Sequence, residues 1–337
     1  MVWFLVTVYY LGWKRFKKLE ASDLDFEQRH SINLMGTTID LMVDHPNSNS
    51  LLLAAVQRLF QLEARFSAND PSSELMAVNQ MAGLKSIRVH PELFHLIQIG
   101  KKESIASERK LNIAIGPLVN LWRIGFADYR KPSQQEIDDR LTIVDPNEIH
   151  LDEIEKTVYL AKPGMSIDLG ALAKGYAADQ IIAYFKDQGV TRASINLGGN
   201  LRFYGHRPNH TESTQWRIGI QDPDQTRGYN KAIVDLSNQS VVTSGDYVRV
   251  FEEDGHLYHH ILDSINGKPF QADVRSVTVV SESSLDGEIW TTRLFPLSKE
   301  AIINQAEQID HIEVLVVDRQ GQITYTSGLE GKVELIC

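Results

Sequence analysis

The chain has 337 residues, with 34 Lys and Arg against 44 Asp and Glu, and a formal net charge of −10. A chain of this length buries roughly three-quarters of its unfolded surface and needs no disulfide or structural metal to fold. The acidic balance argues against a nucleic-acid binder, whose affinity comes from clustered Lys and Arg, and the single cysteine, Cys337, rules out an intramolecular disulfide and a thiolate zinc site.

Met1 to Trp13 is almost wholly apolar, and Lys14, Arg15, Lys17 and Lys18 follow it. The run is too short for a membrane-spanning helix, which needs about 20 residues. Its charges come after the apolar stretch, the reverse of a secretory signal. Three readings stand: a membrane-surface anchor, a longer signal cut short by a misplaced start codon, or a buried strand. As an anchor, residues 1–18 would keep the downstream chain cytoplasmic by their charge order. Residues 1–30 are thus read as a separate segment, and 31–337 as one large domain.

Within that domain, Ser31 to Val43 reads as strand, turn, strand, and Leu51 to Phe66 as a helix capped by Asn49 or Ser50. Ser72 or Ser73 would cap a short helix through Met81, and Pro91 to Ser107 would be another with Pro in its first turn. Ser133 with Glu136 fits a capping box. Ala171 to Gln188 is a helix ended by Gly189. Strands follow at Arg192 to Leu197, Trp216 to Ile220, Ala232 to Leu236 and Val241 to Thr243. A hairpin, Tyr247 to Asp254 with Leu257 to Leu262, turns at Asp254-Gly255. Val274 to Glu282 reads as a strand, Gly287 to Leu297 as a helix, and Ile312 to Asp318 with Ile323 to Thr326 as a closing hairpin. Helices and strands mix without strict alternation, so the class is α+β.

Five segments carry unusual chemistry. In Asn112 to Trp122, Gly116-Pro117 makes a sharp turn, and Trp122 is either an exposed stacking ring or a core tryptophan. In Ser166 to Asp179, Asp168 ends a short strand before Gly170 and a helix carrying Lys174 and Gly175. Such a junction offers backbone N–H groups and a positive dipole end to an anion, and Lys174 adds a charge suited to phosphate. The bland alternative is a capped helix with a solvated lysine. In Ser194 to Gly205, Gly198-Gly199-Asn200 lets the backbone approach a neighbour closely, or is a simple turn. In Val242 to Pro269, alternation sends His259 and His260 to opposite faces, so one can face a site while the other is structural. In Ser283 to Leu297, Glu288 and Thr292 lie on one helix face, a carboxylate and a hydroxyl suited to a hard cation such as Mg²⁺ or simply a surface pair.

Together these segments resemble the ApbE family, the FAD:protein FMN transferases. Asp168-Leu169-Gly170-Ala171 through Lys174-Gly175-Tyr176 is similar to the family's DLGaiAKGy, and Gly116-Pro117-Leu118-Val119-Asn120-Leu121-Trp122 to its GPLvnLW. Leu197 to Asn200 looks like lGGn, Thr243 to Tyr247 like TSGdy, and His260 to Pro269 like HIiDPrTGkP. Phe66 to Leu75 looks like lStydpdSEl, and Met35-Gly36-Thr37 like the opening MGT.

The resemblance implies an enzyme that moves the FMN part of FAD onto a Ser or Thr hydroxyl of a partner protein, with Mg²⁺ at the diphosphate and AMP leaving. It implies Mg²⁺ ligation by the Ala171 carbonyl, Glu288 and Thr292. Lys174 and Thr291 would lie beside the nucleotide, with Asp168 at the same helix start. Met35, Lys110, Leu111, Asn112 and Ile261 would line the flavin pocket, with Asn69 near the rings. His260 would lie near the diphosphate with Asp246 close by, and Lys174, His260 and Asp246 would be the catalytic groups. Glu288 stands where the family usually has Asp; an alternative register would use Asp286, but then Trp290 replaces the threonine. Asn69 stands for a common Tyr, and Ser264 and Asn266 for the usual Pro and Thr. The acceptor motif resembles D-x-x-[ST]-G-A-[ST], which this chain lacks, so the acceptor is another protein. By the same resemblance the enzyme would sit at an inner membrane on the periplasmic side, opposite to the charge-order reading. Two alternatives use the same site: an Mg²⁺-dependent FAD pyrophosphatase giving FMN and AMP, and a non-catalytic FAD-binding protein.

Overall fold

A computed structural model describes residues 27–206 and 215–336. In chain order it contains β1 (Glu27–Leu34), β2 (Thr37–Asp44), α1 (Ser48–Phe66), α2 (Glu74–Gln80), β3 (Ile87–Arg88), α3 (Pro91–Ala106), α4 (Gly116–Trp122), α5 (Gln134–Leu141), β4 (Ile149–Asp152) and β5 (Thr157–Leu160). There follow α6 (Ala173–Asp187), β6 (Arg192–Leu197), β7 (Asn200–Tyr204), β8 (Trp216–Gln221), β9 (Asn230–Leu236), β10 (Ser240–Gly245), β11 (Val250–Glu253) and β12 (His256–His259). The last are β13 (Val274–Ser281), α7 (Ser284–Leu294), α8 (Lys299–Ala306), β14 (Ile312–Asp318), β15 (Ile323–Tyr325) and β16 (Val333–Leu335).

An eight-stranded sheet in the order β1-β2-β6-β7-β10-β13-β14-β15 forms the centre of this α+β fold. Its neighbouring strands are antiparallel throughout. Alternate residues of β13 serve two cores: Val277 and Val279 pack with Leu294 and Phe295 of the α7 region, while Val280 packs under the small sheet β16-β9-β8 with Ile218 and Val234. Cover on both faces buries every position of this strand but Arg275, its polar Ser276, Thr278 and Ser281 included. Around β2 and β6, Leu41 and Ile195 pack with Leu59 of α1 and Phe185 of α6.

Two tight hairpins meet at one end of the main sheet. The β1–β2 turn is Met35-Gly36 (φ 53° and 69°), and the β6–β7 turn is Gly198-Gly199 (φ 65° and 106°). Positive φ at both central residues matches the strand twist in two-residue hairpins. Met35 incurs the left-handed penalty of a side chain, and its N–H donates to Glu63 Oε1 at 2.8 Å. A Cβ on Gly198 would stand 2.0 Å from Thr37 Oγ1, so the close approach signalled by the paired glycines is to the neighbouring hairpin.

Several boundaries differ from the sequence expectation. The first strand begins at Glu27, inside the 1–30 segment; residues 1–18 and Cys337 lie outside the described residues. The capping box at Ser133 and Glu136 is present, whereas α1 starts at Ser48 behind Asn47 rather than behind Asn49 or Ser50. Gly116 opens α4 rather than a bare turn, and Trp122 is a core residue, 2% exposed, whose Nε1–H donates to Gly267 O at 2.8 Å. The hairpin near Asp254 is shorter than its apolar pattern, and the β14–β15 pair does not close the chain, since β16 goes on to pair with β9. Among the described residues no helix is long and apolar enough to cross a membrane.

Candidate functional site

The Asp168 segment is extended but is not a strand. Asn79 supplies the bonds a sheet neighbour would: its Oδ1 accepts from Ile167 N–H (2.8 Å) and its Nδ2 donates to Ile167 O (3.0 Å). Asp168 N–H then donates to Ile113 O at 2.9 Å, and Asp168 Oδ1 accepts from Gly170 N–H at 2.7 Å. Burial pushes the Asp168 carboxyl above the ordinary range, opposed by that hydrogen bond and by the charges of Lys174 and Arg249. Leu172 and Ala173 N–H both donate to Leu169 O, so a turn containing Ala171 precedes α6, which begins at Ala173 and not at Ala171.

Lys174 leaves the first turn of α6 and reaches across to α7, where its Nζ lies 3.2 Å from Glu288 Oε1; it also donates to Gly170 O at 3.2 Å. The two helices come close because Gly175 has no side chain: a Cβ there would stand 2.5 Å from Ser284 O and 2.8 Å from Glu288 Cγ. Asp179, one turn further along, caps α7. Its carboxylate accepts from Ser284 N–H (2.8 Å), Leu285 N–H (3.0 Å) and Ser283 Oγ (2.8 Å), satisfying donors at the helix start. Asn200, the first residue of β7, donates from Nδ2 to Glu288 Oε1 at 2.9 Å. Thr292 Oγ1 donates to Glu288 O at 2.9 Å.

Lys174 is thus paired with Glu288 and not with Asp286. Burial raises the Asp286 pKa, with His311 opposing and Asp179 and Glu103 reinforcing, which places this carboxyl among a different set of groups.

The excursion after β10 brings cations to the same place. Arg249 is exposed and lies against two glycines: a Cβ on Gly125 would meet its Cδ at 2.8 Å, and one on Gly36 would meet its Nη2 at 3.8 Å. A groove of about 450 Å³, lined by Asn33, Leu34, Gly36, Thr37, Thr38 and Glu63, adjoins it at the β1–β2 turn. The two histidines divide as alternation requires. His259 is 4% exposed, with Nε2 2.8 Å from Phe270 O and its ring edge-on to Phe295. His260 is half-buried, and its buried Nδ1 has no hydrogen-bond partner. Burial first, then the charges of Arg249, His259 and Lys174, push His260 down to about 3 from its ordinary 6.5. The ring is neutral at physiological pH. In the unfolded chain it takes up a proton as pH falls through 6.5, so its stabilising contribution is complete above that value and is lost on acidification toward 3. Urea midpoints measured across this window should fall more steeply for the parent than for His260→Asn; an NMR titration of His260 centred near 6.5 would contradict this.

Other residues expected at the site lie elsewhere or face inward. Asp246 is 2% exposed and paired with two guanidinium groups, Arg275 Nε at 2.8 Å and Arg319 Nη1 at 3.5 Å; as a proton acceptor it would first have to leave them. Thr291 is fully buried with its hydroxyl bonded to Glu288 O at 3.1 Å, so it faces the interior. Leu111 is a core residue, and Asn112 is buried, its Oδ1 capping a 3-10 turn at Ala114 N and its Nδ2 donating to Ser264 Oγ at 3.1 Å. Lys110 lines a cavity of about 210 Å³ with Arg293 and Gln305. Asn69 is exposed, its N–H bonded to Ser67 Oγ. Ile261 is half-buried against the Phe295 cluster, its O accepting from Phe270 N–H. Asn200 and Arg249 were not among the expected site residues. The signals available were the fixed position of Asn200 after a two-glycine turn and an arginine within the segment that holds the two histidines.

A helix start bearing a lysine, faced by a buried carboxylate and flanked by an arginine and a histidine, has the chemistry that suits a phosphate-bearing ligand. The ApbE family profile matches residues 35–316, and the chain belongs to that family. It is 41% identical to the FAD:protein FMN transferase of Klebsiella pneumoniae (strain 342) over 288 residues, covering 85% of this chain and 88% of that protein. It is 31% identical over 317 residues to the FAD:protein FMN transferase of Treponema pallidum (strain Nichols), covering 90% of this chain and 88% of that protein. Among solved structures, the ApbE protein of Thermotoga maritima superposes with a TM-score of 0.82 at 25% identity, covering 91% of this chain and 99% of that one. The flavin transferase ApbE of Vibrio cholerae gives 0.79 at 26% identity, covering 92% and 100%.

Proposed function

We propose that this enzyme transfers the FMN moiety of FAD to a hydroxyl of an acceptor protein. The observation that carries the reading is the meeting of Lys174 and Glu288 at the start of α6 in a chain of the ApbE family. The acceptor is a Ser or Thr in a D-x-x-[ST]-G-A-[ST]-like segment of another protein. Its oxygen attacks the phosphorus of the FMN half, the bond to the AMP phosphate breaks, AMP leaves, and the hydroxyl proton departs.

This chemistry asks for positioning and charge neutralisation more than covalent help. Lys174 supplies positive charge at the phosphate, where charge builds up in the transition state. Arg249, whose charge reaches Asp168 and His260 together with that of Lys174, offers a second cation. His260 is the group available to take the acceptor's proton. A bound diphosphate opposes the charges of Arg249 and Lys174, two of the influences that keep His260 neutral, and so makes the ring a better proton acceptor.

The donor set suits Mg²⁺. The Ala171 carbonyl, a Glu288 carboxylate oxygen and the Thr292 hydroxyl would hold it, all hard oxygen ligands. Among the described residues no group of three or more His, Cys, Asp or Glu forms a metal cage. One carboxylate, with substrate phosphates and water completing the shell, is the usual arrangement for this ion. When bound, Mg²⁺ neutralises diphosphate oxygens. The apolar and basic residues 1–18 would hold the enzyme at a membrane surface.

In the presence of Mg²⁺, calorimetry should give an affinity for FAD at least about tenfold above that for riboflavin, since the phosphate contacts are charge-assisted. Equal affinities would overturn the assignment of this site to a diphosphate.

A further inference from the structure

Glu288 has one more methylene than aspartate and hence one more rotatable bond, yet it is 6% exposed and tied down. Its Cγ occupies the space left by the missing side chain of Gly175. Its Oε1 accepts from Asn200 Nδ2 at 2.9 Å. Asn200 is 3% exposed, and its other end is fixed as well: Oδ1 accepts from the hydroxyl of the fully buried Ser284 at 2.6 Å. The chemistry sets the orientation of this amide. A carboxylate only accepts, so the NH₂ must face Glu288, and the carbonyl oxygen must then face the Ser284 donor.

Each part of this chain has a rigid support. The Gly198-Gly199 turn, with Gly199 N–H bonded to Asn196 Oδ1 at 2.8 Å, fixes where β7 begins and therefore where Asn200 stands. Ser284 is the first residue of α7, and its N–H is held by Asp179. The contacts of Asn200 and Lys174 both fall on Oε1.

We propose that Asn200, oriented by Ser284, is a positioning residue that locks Glu288 in the rotamer from which it binds a divalent cation. The relay offsets the added freedom of a glutamate in this role. The inference rests on the assignment of Glu288 to Mg²⁺ under the proposed function. Outer partners of metal-binding carboxylates are worth about 10–100-fold in metal affinity.

The test is Mg²⁺ titration of the FAD-bound protein by calorimetry, with Mn²⁺ electron paramagnetic resonance as a second readout. Asn200→Ala should raise the Mg²⁺ dissociation constant roughly tenfold or more, while FAD affinity measured without metal changes less than about twofold, since Asn200 is buried and both ends of its amide are spent on Glu288 and Ser284. Transfer should be restored largely by raised Mg²⁺. Ser284→Ala leaves the amide in place but unfixed, and should shift the constant in the same direction by roughly two- to tenfold, the worth of one hydrogen bond. It carries the test if Asn200→Ala does not fold. Unchanged Mg²⁺ affinity in whichever folded variant is measured, with only the unfolding midpoint lowered, makes Asn200 a packing residue and overturns the proposal. A parent protein whose FAD complex binds no Mg²⁺ removes the metal assignment and the proposal together, so the two failures are distinguishable.

Discussion

Glu288→Gln is expected to lower FMN transfer by at least about a hundredfold, while Asp286→Asn stays within about twofold of the parent. The amide keeps the shape of the side chain and loses its charge. Unit charges 4 Å apart interact by about 4 kcal/mol at an effective dielectric constant of 20, roughly a thousandfold in rate, and desolvation offsets part of that. Raised Mg²⁺ should recover some activity. Asp286 feels a different set of charges, those of His311, Asp179 and Glu103, and lies outside the Lys174–Glu288 pair. Glu288→Asp shortens the reach to Asn200 and Lys174 and should give intermediate activity. A dead Asp286→Asn with an active Glu288→Gln would move the metal carboxylate to Asp286.

Lys174→Ala should reduce kcat by about two to three orders of magnitude, the scale of losing one preorganised charge-stabilising donor, with a smaller change in FAD affinity. Its ammonium lies 3.2 Å from Glu288, so a phosphate competes with that carboxylate for it. Part of the ground-state binding energy is spent in breaking that pair, whereas charge on the phosphate is greatest in the transition state. Unchanged turnover at saturating FAD would remove Lys174 from the reaction; equal losses in affinity and turnover would make it a binding residue alone.

Local rules were legible in the sequence where a short segment suffices to express them. The Ser133 capping box, the bounds of β6 and the opposite fates of His259 and His260 follow from spacing within a few residues. What depends on distant partners was not legible. Asp168 was expected at a strand end because its segment is apolar and extended. The bonds that extend it come from Asn79, a side chain 88 residues away. Thr291 and Thr292 are adjacent on a helix, and spacing cannot decide which faces a cleft when α7 packs on several elements at once; burial assigns the inward position to Thr291. Asp246 sits in the family's motif, yet its partners here are Arg275 of β13 and Arg319 in the turn after β14, both distant in sequence. The short β4–β5 hairpin and α8 carry too few turns of pattern to stand out.

The central claim is tested most directly by intact mass spectrometry of a purified acceptor carrying a D-x-x-[ST]-G-A-[ST] segment, incubated with this enzyme, FAD and Mg²⁺. The account predicts that the acceptor gains the mass of one phosphoester-linked FMN, lost when its Ser or Thr is replaced by Ala, with one AMP released per modification. An unmodified acceptor with FMN and AMP accumulating in solution, or with FAD bound and intact, would contradict it.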